Sequence, residues 1–380
     1  MANHFDLHAA TALATKPGPF MTMILPVTGL PATDRTQFNS LLKAGKRQLE
    51  SVAPNRAWAA YEAFFAPYEQ GPLTNGSARG LLIMAGATES YHYWLHTAVA
   101  PTVTVTYRPN ILPILQSRDL TSDYDLLLLD SKGFELAQIR DGRPELVNLP
   151  VEAPTTLEKA LGSELRDRGR WQRSAGDSTH YSGTGTLDAS KAADQRNYFM
   201  AVDAYVSQHV SNVDQVPLIL VAAANNQGNF RKLSQNAYLD ANVQVVQNPN
   251  LAAANQSLVA LTVGVNKQRH VQATQIRQDA YDKVRQQNQV VQDLGTLATA
   301  AVQGQIAKLW VQDDASQSGH LTESGAMMTA TALSRQNNLY NDLALLVSQR
   351  GGQVEVLPAD AMPTRSPIAA QLRIRESVQL

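Results

Sequence analysis

Hydrophobic positions in the first third of the chain change between strand-like runs and helix-like spacing. The run Phe20–Leu25 predicts a buried strand that ends at Pro26. Asp34 is placed to cap a helix reaching about Leu49, with apolar residues on one face. The other predicted elements are a helix through Trp58, Tyr61 and Phe65, strands at 81–85 and 102–106, and a link at Pro109 and Pro113.

The middle third opens with the pattern of a β-hairpin. Its strands are Tyr124–Leu129 and Phe134–Ile139, and its turn is Asp130–Gly133, with Gly133 available for positive φ. The polar stretch at 150–190 has no hydrophobic period and predicts a long loop. A helix at about 189–210 with one apolar stripe and a buried parallel strand at 217–224 follow.

The last third continues the alternation of helices and strands. The predicted elements are helices at about 257–286, 297–302 and 332–349, and strands at 307–311, 354–357 and 368–374. This alternation predicts an α/β fold. A length of 380 residues favours two or three domains.

The amino-acid composition and net charge exclude several classes of function. The formal net charge of -1 gives no overall attraction to nucleic acid, so an RNA contact requires a local basic patch. The absence of cysteine excludes disulfides, thiolate nucleophiles and cysteine-based metal sites. We expect no cofactor, no metal and no membrane partner. Since residues 1–16 lack the pattern of a signal peptide, we expect a cytoplasmic protein.

Most catalytic signatures are missing from the sequence. It contains no phosphate loop, no zinc-binding His-Glu-x-x-His and no Gly-x-Ser-x-Gly elbow. Asp123, Asp125 and Asp130 flank the first hairpin strand and are of the type that holds Mg²⁺ in a nuclease. We favour the simpler interpretation that they bound a strand and start a turn. His180 stands alone in the long loop, where a surface role is the simpler interpretation.

A run of arginines in the long loop is the strongest candidate for a binding site. Arg166, Arg168, Arg170 and Arg173 surround Trp171. Guanidinium groups bind phosphates bidentately, and an aromatic ring among them can stack on a base. The alternative is a solvated loop with ordinary surface pairs.

A Gly-Gly-Gln tripeptide occurs at Gly351, Gly352 and Gln353. It follows a predicted helix and precedes a predicted strand. Helices commonly end at a residue with a left-handed φ, which glycine adopts without strain. A turn between helix and strand therefore explains both glycines without a catalytic role.

The order of these segments resembles the archaeal and eukaryotic class-1 peptide-chain release factors and their relative Pelota, and more closely the bacterial branch of that superfamily. The resemblance rests on the hairpin, the signature Asp194–Tyr198 in the helix that follows the long loop, and the apolar strand Val216–Ala222. Leu297–Gly304, the strand after it and the chain end resemble the family's C-terminal domain. The segment around Met23–Pro26 resembles the N-terminal domain of the bacterial branch.

The resemblance implies three domains: an N-terminal α/β domain at 1–117, a middle domain at 118–265 with a ribonuclease H-like sheet, and a C-terminal domain at 266–380 similar to kink-turn-binding ribosomal proteins. It also implies a ribosomal partner. Where the family's Gly-Gly-Gln precedes the signature helix, this chain has His180–Thr186, without glutamine. The candidate RNA-binding residues are Arg166, Arg168, Arg170, Trp171, Arg173, His180, Gly183, Gly185, Lys191 and Arg196.

Three functions remain open at this point. The leading hypothesis is a non-catalytic factor that associates with the ribosome or ribosomal RNA in rescue, hibernation or stress. The second is a hydrolase acting on RNA or on the peptidyl-tRNA ester, with Asp125, Asp130 or His180 as its acidic or basic groups. The third is a module for a protein partner, with the Gln-rich helix near 268–289 as the docking surface.

Overall fold

The computed structural model describes residues 11–16, 18–74, 78–95, 99–120, 123–140, 143–162, 184–322, 324–329 and 331–373, with the backbone only at 117–120 and 184–189. The chain packs into two compact units. Unit 1 comprises residues 1–121 and 274–380, and unit 2 comprises residues 122–273. The mixed α/β class predicted from the sequence is confirmed.

The N-terminal part of unit 1 is an antiparallel sheet in the order β3-β2-β1-β4. Its apolar strand β1 lies in the interior of the sheet because all of its residues up to Leu25 are buried. Helices α1 and α2 pack on one face through Phe38, Leu49 and Phe65. The elements are β1 (Phe20–Pro26), α1 (Pro31–Val52), α2 (Ala59–Gln70), β2 (Gly80–Ala85), β3 (Ser90–Leu95), β4 (Thr102–Thr106) and α3 (Leu112–Leu120).

Two sequence predictions in this part are wrong in detail. Helix α1 begins at Pro31, because proline fixes a helical φ and loses no hydrogen bond there. Asp34 is therefore not the cap but lies one turn inside. It accepts hydrogen bonds from Thr28 N at 3.1 Å and Gly29 N at 3.3 Å, and so closes the preceding loop. The predicted link at Pro109 and Pro113 contains helix α3, which tolerates proline in its first turn.

Unit 2 is built on a five-stranded sheet in the order β7-β6-β5-β8-β9. Strands β5, β6 and β7 are antiparallel neighbours, whereas β8 and β9 run parallel to β5. Both β5 and β8 are completely buried, because helices cover both faces of the sheet. The elements are β5 (Tyr124–Leu129), β6 (Phe134–Arg140), β7 (Arg143–Leu146), α4 (Leu157–Leu161), α5 (Thr184–Val206), β8 (Leu218–Ala222), α6 (Ala224–Leu233), β9 (Val245–Val246) and α7 (Ala254–Gln286).

The hairpin turn between β5 and β6 forms as predicted, but by a different device. Gly133 does not adopt a positive φ. Instead, Asp130 Oδ1 accepts hydrogen bonds from Lys132 N at 2.7 Å and Gly133 N at 2.6 Å. A side-chain acceptor that binds the backbone two and three residues ahead sets the turn by itself.

Two parts of the stretch 150–190, which was predicted as a long loop, are helical. Helix α4 interrupts it, with the Thr156 side chain accepting a hydrogen bond from Lys159 N as the N-cap. Helix α5 begins at Thr184, five residues before the predicted start. The alanine-rich sequence from Leu187 onward propagates a helix well, which outweighs the weak helix formers Thr184 to Thr186.

The C-terminal part of unit 1 is a sheet in the order β10-β15-β11-β14, in which β11 and β14 are parallel. The helix predicted at 332–349 is two helices, because Asn338 is the N-cap of the second and its side chain accepts from Tyr340 N. The elements are β10 (Val290–Val291), α8 (Leu294–Val302), β11 (Ile306–Gln312), β12 (His320–Leu321), β13 (Met327–Met328), α9 (Ala332–Gln336), α10 (Leu339–Gln349), β14 (Gln353–Leu357) and β15 (Ile368–Leu372).

The two parts of unit 1 share one hydrophobic core. Phe20 and Leu82 from the first sheet belong to the same buried cluster as Leu309 and Leu343 from the second. Burial of such side chains contributes about 1.5–3 kcal/mol each. This shared core explains why residues far apart in the sequence form one compact unit. The division into three domains at 117 and 265 stays a prediction.

Candidate nucleic-acid interface

Helix α5 presents the signature Asp194–Tyr198 and follows the segment that contains the arginine run. Its apolar stripe is buried as predicted. The four side chains of the stripe belong to the core of unit 2 and are at most 7% exposed: Phe199, Val202, Val206 and Val210. A π turn at Ser207–Ser211 extends the helix, so that Val210 still reaches this core. The buried stripe fixes which side of α5 faces solvent.

Three pairs of residues at a constant spacing align α5 with α6. Gln195 Nε2 donates to Asn226 Oδ1 at 3.0 Å. One turn later the rings of Phe199 and Phe230 pack edge to face at 5.8 Å between centroids. After a further turn Ser234 Oγ donates to Asp203 Oδ1.

Because both members of these pairs advance by four residues at each step, α5 and α6 run in the same direction side by side. Helix α6 begins directly after β8, at the carboxyl end of that parallel strand. In open α/β sheets this edge is the usual place for ligands. The signature end of α5 therefore lies at the edge of unit 2 best suited to binding.

The signature divides into a buried anchor and exposed polar groups. Tyr198 is fully buried, and its hydroxyl has no hydrogen-bond partner in the described part of the chain. Burial raises the pKa of Tyr198, and the negative charge of Asp130 raises it further. Arg196 and Asn197, by contrast, are exposed. Tyr198 thus supports the helix, whereas its neighbours face solvent.

The structure describes three of the ten predicted RNA-binding residues. Lys191 and Arg196 are exposed on α5, which places two cationic side chains on the solvent side of the helix. Gly185 lies in the first turn of α5 and not in a loop, for the reason given above. Those outside the described residues are Arg166, Arg168, Arg170, Trp171, Arg173, His180 and Gly183.

Two of the hairpin carboxylates are engaged in contacts of their own. Asp125 is fully buried and pairs with Arg140 at 2.7 Å, while Arg140 also binds Asp214 at 3.0 Å. Burial raises the pKa of Asp125 to about 6, although the Arg140 charge lowers it. Asp130 is occupied by its turn, which confirms the turn interpretation. Within the described ranges, no three His, Asp or Glu side chains gather closely enough to hold a metal ion.

The Arg140 cluster escaped the sequence analysis. Asp214 follows Arg140 by 74 positions, and no local spacing links the two residues. Gln138 Nε2 donates to the same Asp214 oxygen at 2.7 Å. The cluster places the Arg140 guanidinium between the carboxylates of Asp125 and Asp214 inside unit 2.

The Gly-Gly-Gln tripeptide forms a turn, as predicted. Gly351 has φ of +74°, and its N–H donates to Ser348 O at 3.1 Å. Gly352 N donates to Val347 O at 2.9 Å. These two bonds define a Schellman ending of helix α10. Gln353 is the first residue of β14 and lies opposite Lys308 of β11.

The segment that carries α5 is similar in sequence to a known protein family. Residues 122–262 match the sequence model of the family described as Bacterial archaeo-eukaryotic release factor family 6. The middle segment is release-factor-like. The match confirms the predicted resemblance to the superfamily and to its bacterial branch. It covers nearly all of unit 2 and includes Lys191, Arg196 and the signature helix. No curated protein sequence shows significant similarity to the chain.

Three solved structures show distant similarity to the chain. An archaeal translation termination factor is 12% identical, with 97% of this chain and 96% of that chain covered and a TM-score of 0.24. Ribosome-bound archaeal Pelota is 12% identical, with 97% and 94% covered and a TM-score of 0.39. Archaeoglobus fulgidus Pelota is 14% identical, with 78% and 80% covered and a TM-score of 0.30. TM-scores this low do not establish a common arrangement of domains.

None of the helices in the described ranges combines the length and the apolar character needed to cross a membrane.

Proposed function

We propose that the protein is a ribosome-associated translation factor that acts in rescue, hibernation or stress and does not release peptides. The match of residues 122–262 to a release-factor family is the observation that carries this proposal. On this account the unit built on β5–β9 contacts ribosomal RNA through α5 and the segment before it. The protein would act in the cytoplasm, where ribosomes are found.

Two features of the sequence and fold support the proposed absence of peptide release. The segment that leads into α5 and includes its first residues reads His180 to Thr186, and it contains no glutamine to place an attacking water. The only Gly-Gly-Gln of the chain is used elsewhere, as the Schellman ending of α10 described above. A tripeptide whose backbone is bonded to its own helix has no freedom to enter a catalytic centre.

The proposed contact surface has suitable charges. Lys191 and Arg196 are exposed, and neither forms an ion pair with another described residue. Such cations release counterions when they bind phosphates, and they need no overall positive charge on the protein. The pairing of α5 with α6 holds them on a rigid element, which reduces the entropy lost on binding.

We further propose that unit 2 is ribonuclease H-like and that the C-terminal part resembles the kink-turn-binding ribosomal proteins. Support for the first comes from a sheet in which an antiparallel hairpin precedes two parallel strands. The second rests on the sequence resemblance and on the helices that pack beside β11. The division into N-terminal, middle and C-terminal domains belongs to the same proposal.

Ribosome binding is tested by mixing the purified protein with bacterial ribosomes at low salt and pelleting them through a sucrose cushion. We expect the protein in the ribosome pellet, and we expect ribosomal subunits or particles in one functional state to be preferred. Protein that stays in the supernatant with every particle tested would overturn the proposal.

A separate assay tests the absence of peptide release. Ribosomes carrying labelled peptidyl-tRNA are incubated with the protein, with an authentic release factor as the positive control. We expect binding without release of label above the background. Release of label at a rate near the positive control would show that the hydrolase hypothesis was the right one.

A second candidate function is docking of a protein partner on α7. Val259, Val263 and Val271 expose 64%, 66% and 60% of their surface, which is unusual for large apolar residues on one helix. A pull-down whose capture of one protein resists salt and nuclease would favour this function. Loss of all captured material after nuclease treatment would favour RNA binding instead.

A further inference from the structure

Unit 1 contains a cleft that the proposed function does not use. Its volume is about 720 Å³, within the range of small-molecule sites. Residues from both parts of unit 1 line it, among them Lys16, Tyr107, Arg108, Asp342 and Arg350. The shared core beneath it holds both walls in place.

The wall that carries Arg108 is fixed from below by two asparagines. Asn337 Oδ1 accepts a hydrogen bond from Tyr107 N at 3.1 Å. Asn341 Oδ1 accepts from Ile111 N at 2.8 Å, and its Nδ2 donates to Pro109 O at 2.9 Å. These three hydrogen bonds leave the backbone around Arg108 little freedom. The cleft is therefore a built site and not a gap between loops.

Two polar groups of the cleft are buried without partners. Asp342 is 2% exposed; its Oδ2 accepts from Leu321 N at 2.9 Å, whereas its Oδ1 has no donor in good hydrogen-bond geometry, although the Asn337 side chain lies close enough to lower the pKa of the carboxyl. The neighbouring amide of Asn337 donates to Gly319 O instead. Arg108 Nε is also buried without an acceptor. Leaving such groups unsatisfied is costly, so each one calls for an explanation.

The charged side chains that line the cleft favour an anionic ligand. Arg108 and Arg350 form no ion pair with any described residue, whereas Lys16 is paired with Glu89 at 3.0 Å. Tyr107 stacks on His320 at 4.5 Å between ring centroids. Burial and the nearby Arg108 charge lower the pKa of His320, so that its ring is neutral at physiological pH. Among the described residues that line the cleft, only Asp342 has a carboxyl group.

A ligand that satisfies both orphan groups needs an anionic acceptor for Arg108 and a hydroxyl donor for Asp342. A sugar phosphate supplies both: its phosphate oxygens accept from Arg108, and its ring hydroxyls add donors for Asp342 beyond the single O–H that inorganic phosphate carries. Tyr107 is 40% exposed and offers a ring face on which a base can stack. We propose that this cleft binds a small phosphorylated sugar, either free or as part of a nucleotide. The proposal does not depend on ribosome binding.

Titration calorimetry of the full chain tests the site with ribose 5-phosphate, adenosine monophosphate and inorganic phosphate as probes. We expect at least one of the two sugar phosphates to bind about tenfold or more tightly than inorganic phosphate. Arg108→Gln and Asp342→Asn should each weaken that binding about tenfold or more. Arg47→Gln, which removes an exposed arginine of α1, is the matched control and should leave it unchanged.

Tighter binding of adenosine monophosphate than of ribose 5-phosphate would identify a nucleotide, and equal binding would identify the free sugar phosphate. Thermal unfolding of each variant checks that it is folded, and Arg108→Lys replaces Arg108→Gln if the latter is not. Absence of heat with both sugar phosphates overturns the proposal. So does binding that both cleft variants leave unchanged, or binding of inorganic phosphate as tight as that of the sugar phosphates.

Discussion

The N–H of Gly352 donates to the carbonyl oxygen of Val347 at 2.9 Å, and this bond ends helix α10. The same two residues lie so close that a Cβ added to Gly352 would stand 2.5 Å from Val347 Cγ1 and 2.8 Å from Ile306 O. Only glycine fits between the helix and the neighbouring strand. Packing therefore requires a glycine at position 352, the second residue of this Gly-Gly-Gln.

Gly352→Ala is expected to destabilise the protein by about 1–3 kcal/mol, because the added methyl overpacks a site bounded by backbone. Gln353→Ala is the matched control, since Gln353 is exposed at the start of β14 and its loss should cost less than about 0.5 kcal/mol. Urea unfolding measures both changes. A Gly352→Ala variant as stable as the unchanged protein would contradict the packing role.

Arg140→Gln should destabilise unit 2 by about 3 kcal/mol at pH 7.5, because it leaves Asp125 charged and buried without its partner. In the folded protein the pKa of Asp125 is about 6, above its ordinary value. Below that pH the carboxyl is neutral in the folded state, so the loss should shrink as the pH falls toward 5. Lys232→Gln, an exposed residue of α6, is the control. A loss that is equal at both pH values would contradict this explanation.

Asp342→Asn should alter how stability depends on pH. Burial raises the pKa of Asp342 to about 6, so the unchanged protein binds this proton more tightly when folded than when unfolded. Its stability therefore falls as the pH rises from about 4 to 6, by up to about 3 kcal/mol. The Asp342→Asn variant lacks this loss of stability at rising pH. Its free energy of unfolding, relative to that of the unchanged protein, should therefore increase as the pH rises over the same interval. Denaturant unfolding at pH 4.5, 5.5 and 7 measures the difference; parallel curves would contradict it.

Much of the fold follows from the sequence where an element carries its own hydrophobic pattern. Strands β1, β5 and β8 are mainly apolar runs, interrupted only by Thr22 in β1 and Asp125 in β5, and the stripe of α5 recurs at helical steps, so the sequence predicts all four. Helix α6 was missed because Phe230 is its single fully buried apolar side chain. Strand β3 was missed because its histidine and tyrosines obscure the alternation.

The candidate interface could be predicted only in part. The signature residues of α5 mark the helix, and Lys191 and Arg196 were identified from it. The bond between Gln195 and Asn226 was not predictable, since it joins polar side chains 31 positions apart with no shared pattern. The same holds for Arg108 and Asp342, which only the shared core of unit 1 brings into one cleft. Contacts of this kind depend on tertiary packing, which local spacing does not record.

The exposed cations of α5 should control binding to ribosomes. The double variant Lys191→Glu/Arg196→Glu should bind ribosomes about tenfold or more weakly. A plot of the logarithm of affinity against the logarithm of salt concentration should also become less steep, by about one for each lost phosphate contact. The matched control is Lys43→Glu/Arg47→Glu, which makes the same charge change on exposed residues of α1. It should bind as the unchanged protein does.

The most direct test of the account is co-pelleting of the unchanged protein and these two variants with bacterial ribosomes over a series of salt concentrations. The account predicts that the unchanged protein and the α1 variant pellet at low salt and dissociate as salt rises, while the α5 variant remains largely in the supernatant. Equal pelleting of all three proteins would contradict the proposed interface. An unchanged protein that never pellets would contradict ribosome association itself.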